Sequence, residues 1–386
     1  MMKPQNKKIV KVAFYLAHPA HYHYFKNTVK QLRADGHKPY WLVKNKDILR
    51  TLLDNENETY TLIGNNKAKG KLKKVLIGII SDLNVIRFLN KNNIDYIIGS
   101  MFTFNIRLLT NTYPINCGED DAAVLDIYPK LVYPFAREIL SPTCCDNGKW
   151  NNKSTKFNSY MKIGYLHPNN FTPSKSICER CKVDVNTPYF IIRFSSLNAH
   201  HDDGIQGINA EVAQRLIDIL KLHGDIYITS ERELEPQFEQ YRIKINPLDM
   251  HHVMAFASLY IGDSQTMAAE AGILGVPFIR FNGFVGRIGY LDELETKYEL
   301  GYGIQSDEKR ECPYEVRYRG KDDMYKIVES LVQKLPRLKS EWNKKRNKLL
   351  SEKIDYAKFL TWFIENYPTS KDESMKGGNE FWERFR

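Results

Sequence analysis

The stretch Leu259-Tyr-Ile-Gly-Asp-Ser-Gln-Thr-Met-Ala-Ala-Glu-Ala-Gly-Ile-Leu-Gly-Val-Pro277 decides the fold of this chain. It predicts a buried strand over 259–262, a tight polar turn at Asp263 and Ser264, a helix over 266–274 and the start of another strand. In a parallel strand–helix–strand unit, the helix begins at the carboxyl edge of the sheet. Its unpaired N–H groups and its dipole attract phosphate there. The stretch therefore indicates an α/β fold with an open helix start.

The first turn of this helix carries the predicted ligand contacts. Ser264 is expected to cap the helix, and Thr266 and Glu270 are spaced to share one helix face. A carboxylate one turn inside a phosphate-binding helix end is well placed to accept hydrogen bonds from two ribose hydroxyls. Many doubly wound proteins carry such a turn without a ligand, so that alternative stays open. The predicted sugar-nucleotide contacts here are Asp263, Ser264, Gln265, Thr266 and Glu270.

The other predicted strands of the second half also end in polar residues. The segments Arg193-Phe-Ser-Ser196 and Thr229-Ser-Glu-Arg232 follow two strands, and Pro247-Leu-Asp-Met-His-His252 precedes a helix. Hydroxyls, guanidinium groups and helix ends at one sheet edge are what pyrophosphate binding requires. The further predicted donor contacts are Arg193, Ser195, Ser196, Ser230, Glu231, Arg232 and His251.

Metal chemistry is not favoured by the sequence. Arg193 or Arg232 can offset the charge of a leaving diphosphate, and no Asp-x-Asp motif is present. The cluster His200-His-Asp-Asp203 has the composition of a metal site. Adjacent histidines on a strand point to opposite sides, however, so a loop that touches the nucleotide is the preferred interpretation. We therefore predict neither a metal nor a bound cofactor.

Candidate bases lie in the first half. The loop after the first strand holds His18, His21 and His23, and a histidine of near-neutral pKa can deprotonate a hydroxyl. The alternative is a buried histidine with a structural role. The run Glu119-Asp-Asp121 follows a short strand, and mutual repulsion among Glu119, Asp120 and Asp121 is expected to raise at least one pKa. Solvated turn acids are the alternative there.

The domain organisation follows from length and periodicity. A chain of 386 residues suits two domains, and short apolar runs alternate with helical patterns. We predict domains over 1–170 and 186–335, with helices over 336–386 packing back across the domain junction. Two doubly wound parallel-sheet domains in tandem describe the GT-B architecture, whose ligand lies in the interdomain cleft. The predicted strands cover 8–17, 39–44, 59–63, 95–99, 114–117, 138–141, 189–194, 225–229, 242–245, 259–262 and 278–281.

The formal net charge of +10 is concentrated in two lysine- and arginine-rich blocks. One block, Lys67–Lys74, contains no acid, and the other spans Lys334–Lys348 near the C-terminus. Solvated helix faces explain such runs by default. The functional interpretation is attraction to an anionic membrane surface, a lipid-linked pyrophosphate or nucleic acid.

Targeting signals and cysteines point to the cytosol. The N-terminal apolar run is interrupted by Lys11 and predicts a first strand rather than a signal peptide, and the run over 75–89 is too short to span a bilayer. Cysteines in the cytosol are expected to be reduced. Four of the six, Cys144, Cys145, Cys178 and Cys181, have the composition of a zinc site, although ordinary thiols are preferred.

These residues also carry a family resemblance. The motifs are Tyr22-His-Tyr-Phe-Lys26, Glu119-Asp-Asp121, Tyr133-Pro-Phe135, Leu166-His-Pro-Asn169, Arg193-Phe-Ser-Ser196 with Ala199-His-His201, and Gly262-Asp-Ser with Glu270-Ala and Gly275-Val-Pro277. With them the chain resembles a domain-of-unknown-function family grouped with GT-B glycosyltransferases and non-hydrolysing UDP-N-acetylglucosamine 2-epimerases. The resemblance implies the GT-B fold and a nucleotide-sugar ligand, usually in surface-polysaccharide settings.

The match to the epimerases is partial. Their acidic residue after one strand aligns with Glu119, but their preceding acidic turn is Gly99-Ser-Met101 here. Their His-Arg-Arg-Glu-Asn loop is replaced by Arg193-Phe-Ser-Ser-Leu-Asn198. Epimerisation needs several acid and base groups, whereas transfer needs one base and a stabilised leaving group.

We therefore predict a cytosolic, metal-independent GT-B glycosyltransferase, with a peripheral position at the inner membrane face as the alternative location. Its donor is a nucleotide-diphosphate sugar, and its acceptor is a saccharide or lipid-linked hydroxyl. The alternatives are a UDP-sugar 2-epimerase, a glycosyltransferase acting on nucleic acid, and a non-catalytic protein that binds nucleic acid or membrane.

Overall fold

The computed structural model describes residues 8–65, 71–100, 104–125, 127–195 and 207–386. These form two compact units. The first comprises Met1–Thr143, Asn147–Tyr165 and Ile354–Arg386, and the second comprises Cys144–Asp146 and Leu166–Lys353.

The first unit is built on a parallel sheet. Its strands are β1 (Lys11–Leu16), β2 (Lys38–Asn45), β3 (Tyr60–Asn65), β4 (Tyr96–Gly99), β5 (Tyr113–Cys117), β6 (Glu138–Pro142) and β7 (Ser154–Phe157). Their spatial order is β3-β2-β1-β4-β5-β6-β7, and every pair is parallel. Strands β2 and β3 are added on one side of β1, and β4 to β7 are added on the other side. This reversal in strand order after β3 is typical of a doubly wound sheet.

Helices cover both faces of this sheet. They are α1 (Pro19–Ala34), α2 (Asp47–Asn55), α3 (Lys71–Asn92), α4 (Phe104–Leu109), α5 (Tyr128–Val132) and α6 (Ile163–Leu166). Because parallel crossovers are right-handed, α1 and α2 lie on one face, and α3, α4 and α5 lie on the other. Val85 and Leu89 of α3 accordingly pack in a core cluster with Ala13 and Tyr15 of β1.

The second unit repeats this plan. Its helices are α7 (Lys175–Arg180), α8 (Ala210–Leu220), α9 (Met250–Phe256), α10 (Gln265–Leu274), α11 (Gly289–Thr296), α12 (Gly320–Val332) and α13 (Leu335–Glu352). Its strands are β8 (Tyr189–Phe194), β9 (Asp225–Ser230), β10 (Leu259–Gly262), β11 (Phe278–Asn282), β12 (Gly301–Gln305) and β13 (Tyr318–Arg319). The order is β13-β12-β11-β10-β8-β9, again all parallel, so β10 and β8 are interior strands with a neighbour on each side.

The chain then returns to the first unit through α14 (Tyr356–Glu365), α15 (Thr369–Lys376) and α16 (Asn379–Glu383). The α14 helix packs against α1, and the aromatic rings of Phe359, Trp362 and Phe385 pack together. Among the helices that the structure describes, none combines the length and apolar character needed to cross a bilayer.

The predicted fold class is confirmed: two Rossmann-like parallel-sheet units form a GT-B fold. The strand predicted over 242–245 is wrong. Only an isolated bridge joins Ile228 to Arg242, and the Arg242 guanidinium is held by Glu239 beside it. The strands β7, β12 and β13 were not predicted.

Candidate functional site

The start of α10 lies at the carboxyl end of β10, as predicted. The Ser264 side chain accepts a hydrogen bond from the Met267 N–H at 3.4 Å, so its role as helix cap is confirmed. Ser264, Gln265 and Thr266 are only partly buried, so the described residues of this unit leave the helix start partly open. The helix ends at Gly275, whose φ of 82° favours glycine.

Glycine at the end of β10 makes room for an arginine beside the helix start. Gly262 pairs with Arg193 of β8 on one side and with Arg280 of β11 on the other. A Cβ at Gly262 would stand 2.6 Å from the Tyr260 Oη and 2.9 Å from the Arg193 Cβ, which is too close for any larger residue. The Arg193 guanidinium is paired with Glu231.

The Arg193 Nε is buried and has no hydrogen-bond partner among the described residues. Its cross-strand neighbour on β9, Thr229, has a buried hydroxyl that also makes no hydrogen bond to the described residues. Buried donors of this kind are costly unless an acceptor satisfies them. We infer that this edge is suited to an oxygen-rich anion.

Arg280 extends this cross-strand row and was missed by the sequence analysis. It is fully buried, and its Nε and Nη2 donate to Glu295 of α11 at 2.9 and 3.2 Å. Gly303 of β12 leaves the space that the Glu295 carboxylate fills. The third nitrogen, Nη1, is buried and without an acceptor in the described parts of the chain. The available signal was a lone arginine inside the apolar strand Phe278–Asn282.

Asp263 has a structural position at the centre of this edge. Its Oδ1 accepts from the Ser195 N–H at 2.6 Å and its Oδ2 from the Ile208 N–H at 3.4 Å. Burial raises the pKa of this carboxyl to about 6, although these backbone hydrogen bonds oppose the shift. Asp263 therefore holds together the two chain ends that flank residues 196–206.

The predicted Ser196, together with the His200–Asp203 cluster, lies outside the described residues. One of the Arg232 guanidinium nitrogens donates to the Ile208 carbonyl, and the group stacks 5.0 Å from the centre of the Phe194 ring. The Ser230 hydroxyl accepts from the Arg232 N–H at 3.1 Å and donates to the Arg232 carbonyl at 2.7 Å. Ser230 thus stabilises the turn after β9, and Arg232 links that turn to the chain at Ile208.

Glu270 and His251 were both predicted as ligand contacts, and the structure brings them together. The His251 Nε2 lies 3.1 Å from the Glu270 Oε1, and the two side chains are only 8% and 7% exposed. His251 comes from α9, which packs against α10. The ring of Phe171 lies edge-on to His251, with 6.2 Å between the centroids. Glu270 is therefore held in a fixed orientation one turn inside α10.

The histidines of the first unit differ in their environments. The His18 Nδ1 accepts from the Ala20 N–H at 3.2 Å and caps α1. The His21 Nδ1 accepts from the Ala17 N–H at 3.3 Å. Desolvation lowers the pKa of His21 to about 3, and the charges of His18 and Lys46 act in the same direction. His21 is therefore neutral at physiological pH with its proton on Nε2, so it can donate but is poorly placed to accept a proton.

His23, another of the predicted bases, is 7% exposed. Its ring lies 5.3 Å from that of Tyr165, measured between centroids, and 5.6 Å from that of Tyr22. Both rings position the imidazole near the start of α1.

Glu119 belongs to a buried polar cluster that also includes a lysine missed by the sequence analysis. Its Oε1 accepts from the Tyr24 hydroxyl at 3.1 Å, and its Oε2 accepts from the Met161 N–H at 3.0 Å. The Lys162 ammonium forms an ion pair with the same carboxylate, and both side chains are at most 5% exposed. Asp121 is likewise buried, whereas Asp120 is partly exposed. Repulsion among three acids is thus offset at Glu119 by a cation 43 residues along the chain.

The cysteines do not form a metal centre within the described residues, where no group of three or more histidine, cysteine or acidic side chains is arranged to hold an ion. The Cys178 thiol donates to the Ser174 and His252 carbonyls at 3.5 Å, and burial raises its pKa to about 11. Cys181 faces Asp249. These contacts are those of ordinary thiols.

No protein-family model matches this sequence, and no curated protein sequence is significantly similar to it. Solved structures are similar in fold. The S. aureus MnaA–UDP structure has a TM-score of 0.62 at 13% identity and covers 94% of this chain and 98% of its own. The spinosyn forosaminyltransferase SpnP has a TM-score of 0.57 at 14% identity, covering 93% and 100%.

A putative UDP-N-acetylglucosamine 2-epimerase from Listeria monocytogenes has a TM-score of 0.60 at 12% identity, with 97% and 98% of the two chains covered. At such identities these likenesses show the fold. The structural neighbours are thus UDP-N-acetylglucosamine 2-epimerases and GT-B glycosyltransferases, as the resemblance implied.

Proposed function

We propose that this protein is a metal-independent glycosyltransferase that moves a sugar from a nucleotide-diphosphate donor to a hydroxyl acceptor. One observation carries the proposal: the partly open start of α10 lies beside Arg193, and Glu270 is fixed by His251 one turn further along the helix. A diphosphate fits the helix start and the arginine, and a ribose fits the carboxylate.

The donor contacts follow from this arrangement. The N–H groups of the first turn and the Ser264 and Thr266 hydroxyls would bind the diphosphate, together with the unsatisfied Nε of Arg193. The Glu270 carboxylate, oriented by His251, would accept a hydrogen bond from a ribose hydroxyl. Asp263 and Arg232 would act by fixing the backbone at Ser195 and Ile208 rather than by touching the donor.

The reaction needs one base. The acceptor oxygen attacks the anomeric carbon, the bond between that carbon and the diphosphate oxygen breaks, and the acceptor proton passes to the base. Among the predicted bases we favour His23, with Asp120 in reserve. His21 already uses Nδ1 as an acceptor, and Glu119 is committed to Lys162, Tyr24 and Met161. The growing charge on the diphosphate is offset by Arg193 and the helix dipole.

The nucleotide is proposed to be uridine diphosphate. The similar S. aureus structure is a complex with UDP, and a Neisseria meningitidis epimerase of TM-score 0.58 is a complex with UDP-GlcNAc. The acceptor is proposed to be a saccharide or a lipid-linked hydroxyl, in surface-polysaccharide or glycoconjugate synthesis.

A UDP-sugar 2-epimerase is the second candidate, favoured by the epimerase structures among the neighbours. Epimerisation requires proton removal and return together with management of a cleaved intermediate. Gly99 and Ser100 stand where those epimerases carry an acidic turn, and they supply no acid for such steps. The Glu119 carboxylate is held in an ion pair with Lys162.

Product analysis of a UDP-sugar incubated with the full chain, alone and with acceptor saccharides, tests the assignment. A transferase releases UDP and forms a glycoside only when acceptor is present, apart from slow hydrolysis. A new epimer by NMR without acceptor would establish the second candidate. Calorimetric titration with UDP should show binding to the wild type, and absence of any nucleotide binding would refute both candidates.

A further inference from the structure

One face of the first unit exposes an unusual set of apolar side chains. They lie on the three helices α3, α4 and α5, which share that face of the sheet. Ile79, Ile80 and Leu83 of α3, Leu108 and Leu109 of α4 and Leu131 of α5 are each between 42% and 64% exposed. Soluble monomers rarely gather so many large apolar residues on one layer without a partner.

These residues are additional to the internal packing of α3. Val85 and Leu89 already fill the core beneath the sheet and are at most 3% exposed. The helix is therefore apolar on its inner side and again on part of its outer side. The helices α4 and α5 have only six and five residues, so they cover little of this layer.

The same three helices are strongly cationic. Their sequences contain five lysines and two arginines but a single acid, Asp82. Burial raises the pKa of Asp82, and the groups that oppose this shift are Lys44 and the Asn105 side chain, so the acid is engaged within the fold. By contrast, α1, α2 and α14 contain five cations and three acids.

This charge distribution selects among possible partners. A second copy of this layer would bring like charges together in a protein whose net charge is +10. An anionic lipid surface offers opposite charge together with an apolar interior, and it accepts a helix that combines cations with exposed leucine and isoleucine.

Two of the seven cations in the other basic block, Lys334–Lys348, are engaged within the second unit. On α13, Arg346 donates to the Ile273 carbonyl at 2.8 Å, and Lys345 pairs with Glu341 and lies 4.0 Å from the centroid of the Trp342 ring. The block at Lys67–Lys74 begins with Lys67 and Lys69, which lie outside the described residues, and continues into α3.

We propose that the α3–α5 layer, defined by the six apolar residues above, docks the first unit onto an anionic phospholipid surface. The surface is separate from the nucleotide site of the second unit, so the docking does not depend on the proposed reaction. If the acceptor is lipid-linked, the same layer would bring the enzyme to it.

Vesicle flotation of the full chain tests this docking. Vesicles of phosphatidylcholine with and without phosphatidylglycerol are compared at low and high salt. We expect binding only to the anionic vesicles, weakened by salt. Each of two double variants, Ile79→Asp with Leu83→Asp and Leu108→Asp with Leu109→Asp, should reduce the bound fraction about tenfold. The control is Leu222→Asp, which changes a residue of the second unit that is 76% exposed and should bind like the wild type.

Thermal unfolding checks that each variant keeps its fold. Two double variants are used so that the test still holds if one of them does not fold. The proposal is overturned if the wild type ignores anionic vesicles, or if folded double variants bind them like the control. Sedimentation equilibrium without lipid is run in parallel. If the wild type is oligomeric and the double variants become monomeric with unchanged vesicle binding, a second copy covers this layer and the proposal is wrong.

Discussion

Replacing Glu270 with alanine is expected to weaken UDP binding about thirtyfold. The magnitude follows from the way the carboxylate is used. The His251 Nε2 lies 3.1 Å from Oε1 and orients the carboxylate, and we count one hydrogen bond from a ribose hydroxyl to it. A hydrogen bond to a charged acceptor contributes about 2 kcal/mol, and this equals about thirtyfold in the dissociation constant. A carboxylate with both oxygens on the ribose would give a much larger loss.

The partner of Glu270 refines this prediction. Removing His251 frees the carboxylate to rotate, so His251→Ala should weaken UDP binding by a smaller factor, about fivefold. If His251 acts only through Glu270, the double variant should bind no worse than Glu270→Ala alone. Two independent ligand contacts would instead give additive losses.

Isothermal titration calorimetry measures UDP binding to the wild type, the two single variants, the double variant and a control, and thermal unfolding checks that each is folded. Glu211→Ala, which removes an exposed carboxylate on α8, is the matched control and should leave the affinity unchanged. An unchanged affinity in a folded Glu270→Ala variant would refute the ribose assignment. Additive losses would refute the positioning role of His251.

Three further predictions concern the base, the loop anchor and the buried ion pair. His23→Gln should lower the rate of UDP release with acceptor about a hundredfold while UDP affinity stays constant, and His21→Gln should have little effect; the opposite order in steady-state assays would exchange their roles. The raised pKa of Asp263 means that the folded state binds the proton more tightly, so stability should fall by about 3 kcal/mol as pH rises from about 4 through 6 and level off above. Urea unfolding should show this pH dependence in the wild type and not in Asp263→Asn; equal dependence in both would contradict the assignment. Lys162→Met should lose about 3 kcal/mol because it leaves the Glu119 carboxylate buried without its cation, and adding Glu119→Gln should recover part of the loss in the same unfolding assay. A variant that is more stable without Lys162 would show that the pair does not stabilise the fold.

The strands that could be predicted from the sequence are those whose apolar runs match their burial. Tyr189–Phe194 and Leu259–Gly262 are interior strands of the second sheet. Both of their faces are buried, so each is a nearly continuous run of apolar residues. The strand Gly301–Gln305 was missed because it contains two glycines. Those glycines are needed there: a Cβ at Gly301 would meet the ring of Phe278, and one at Gly303 would meet the Glu295 carboxylate. The need for glycine at these positions comes from residues that are close in space but distant in sequence, so the local sequence pattern does not show it.

The same distinction between local and long-range features applies to the candidate site. Features set by one element could be predicted, such as the Ser264 cap and the position of Glu270 one turn inside α10. Features set by contacts between distant residues could not. Lys162 was overlooked although it decides the charge around Glu119, and Arg280 was overlooked although it lies in the same cross-strand row as Arg193.

The acidic run Glu119–Asp121 shows the physical reason. Counted along the chain, three adjacent acids suggest repulsion and a carboxylate poised to accept a proton. In three dimensions a buried ammonium, a phenol and a backbone N–H converge on the first of them. Coulomb energy depends on distance in space and on the local dielectric, so a cation from far along the chain acts on Glu119 as directly as its neighbours in sequence. Sequence spacing can therefore nominate the residues of an active edge, but their protonation roles have to be derived from the folded contacts, and this is why the base is sought at His23 rather than at Glu119.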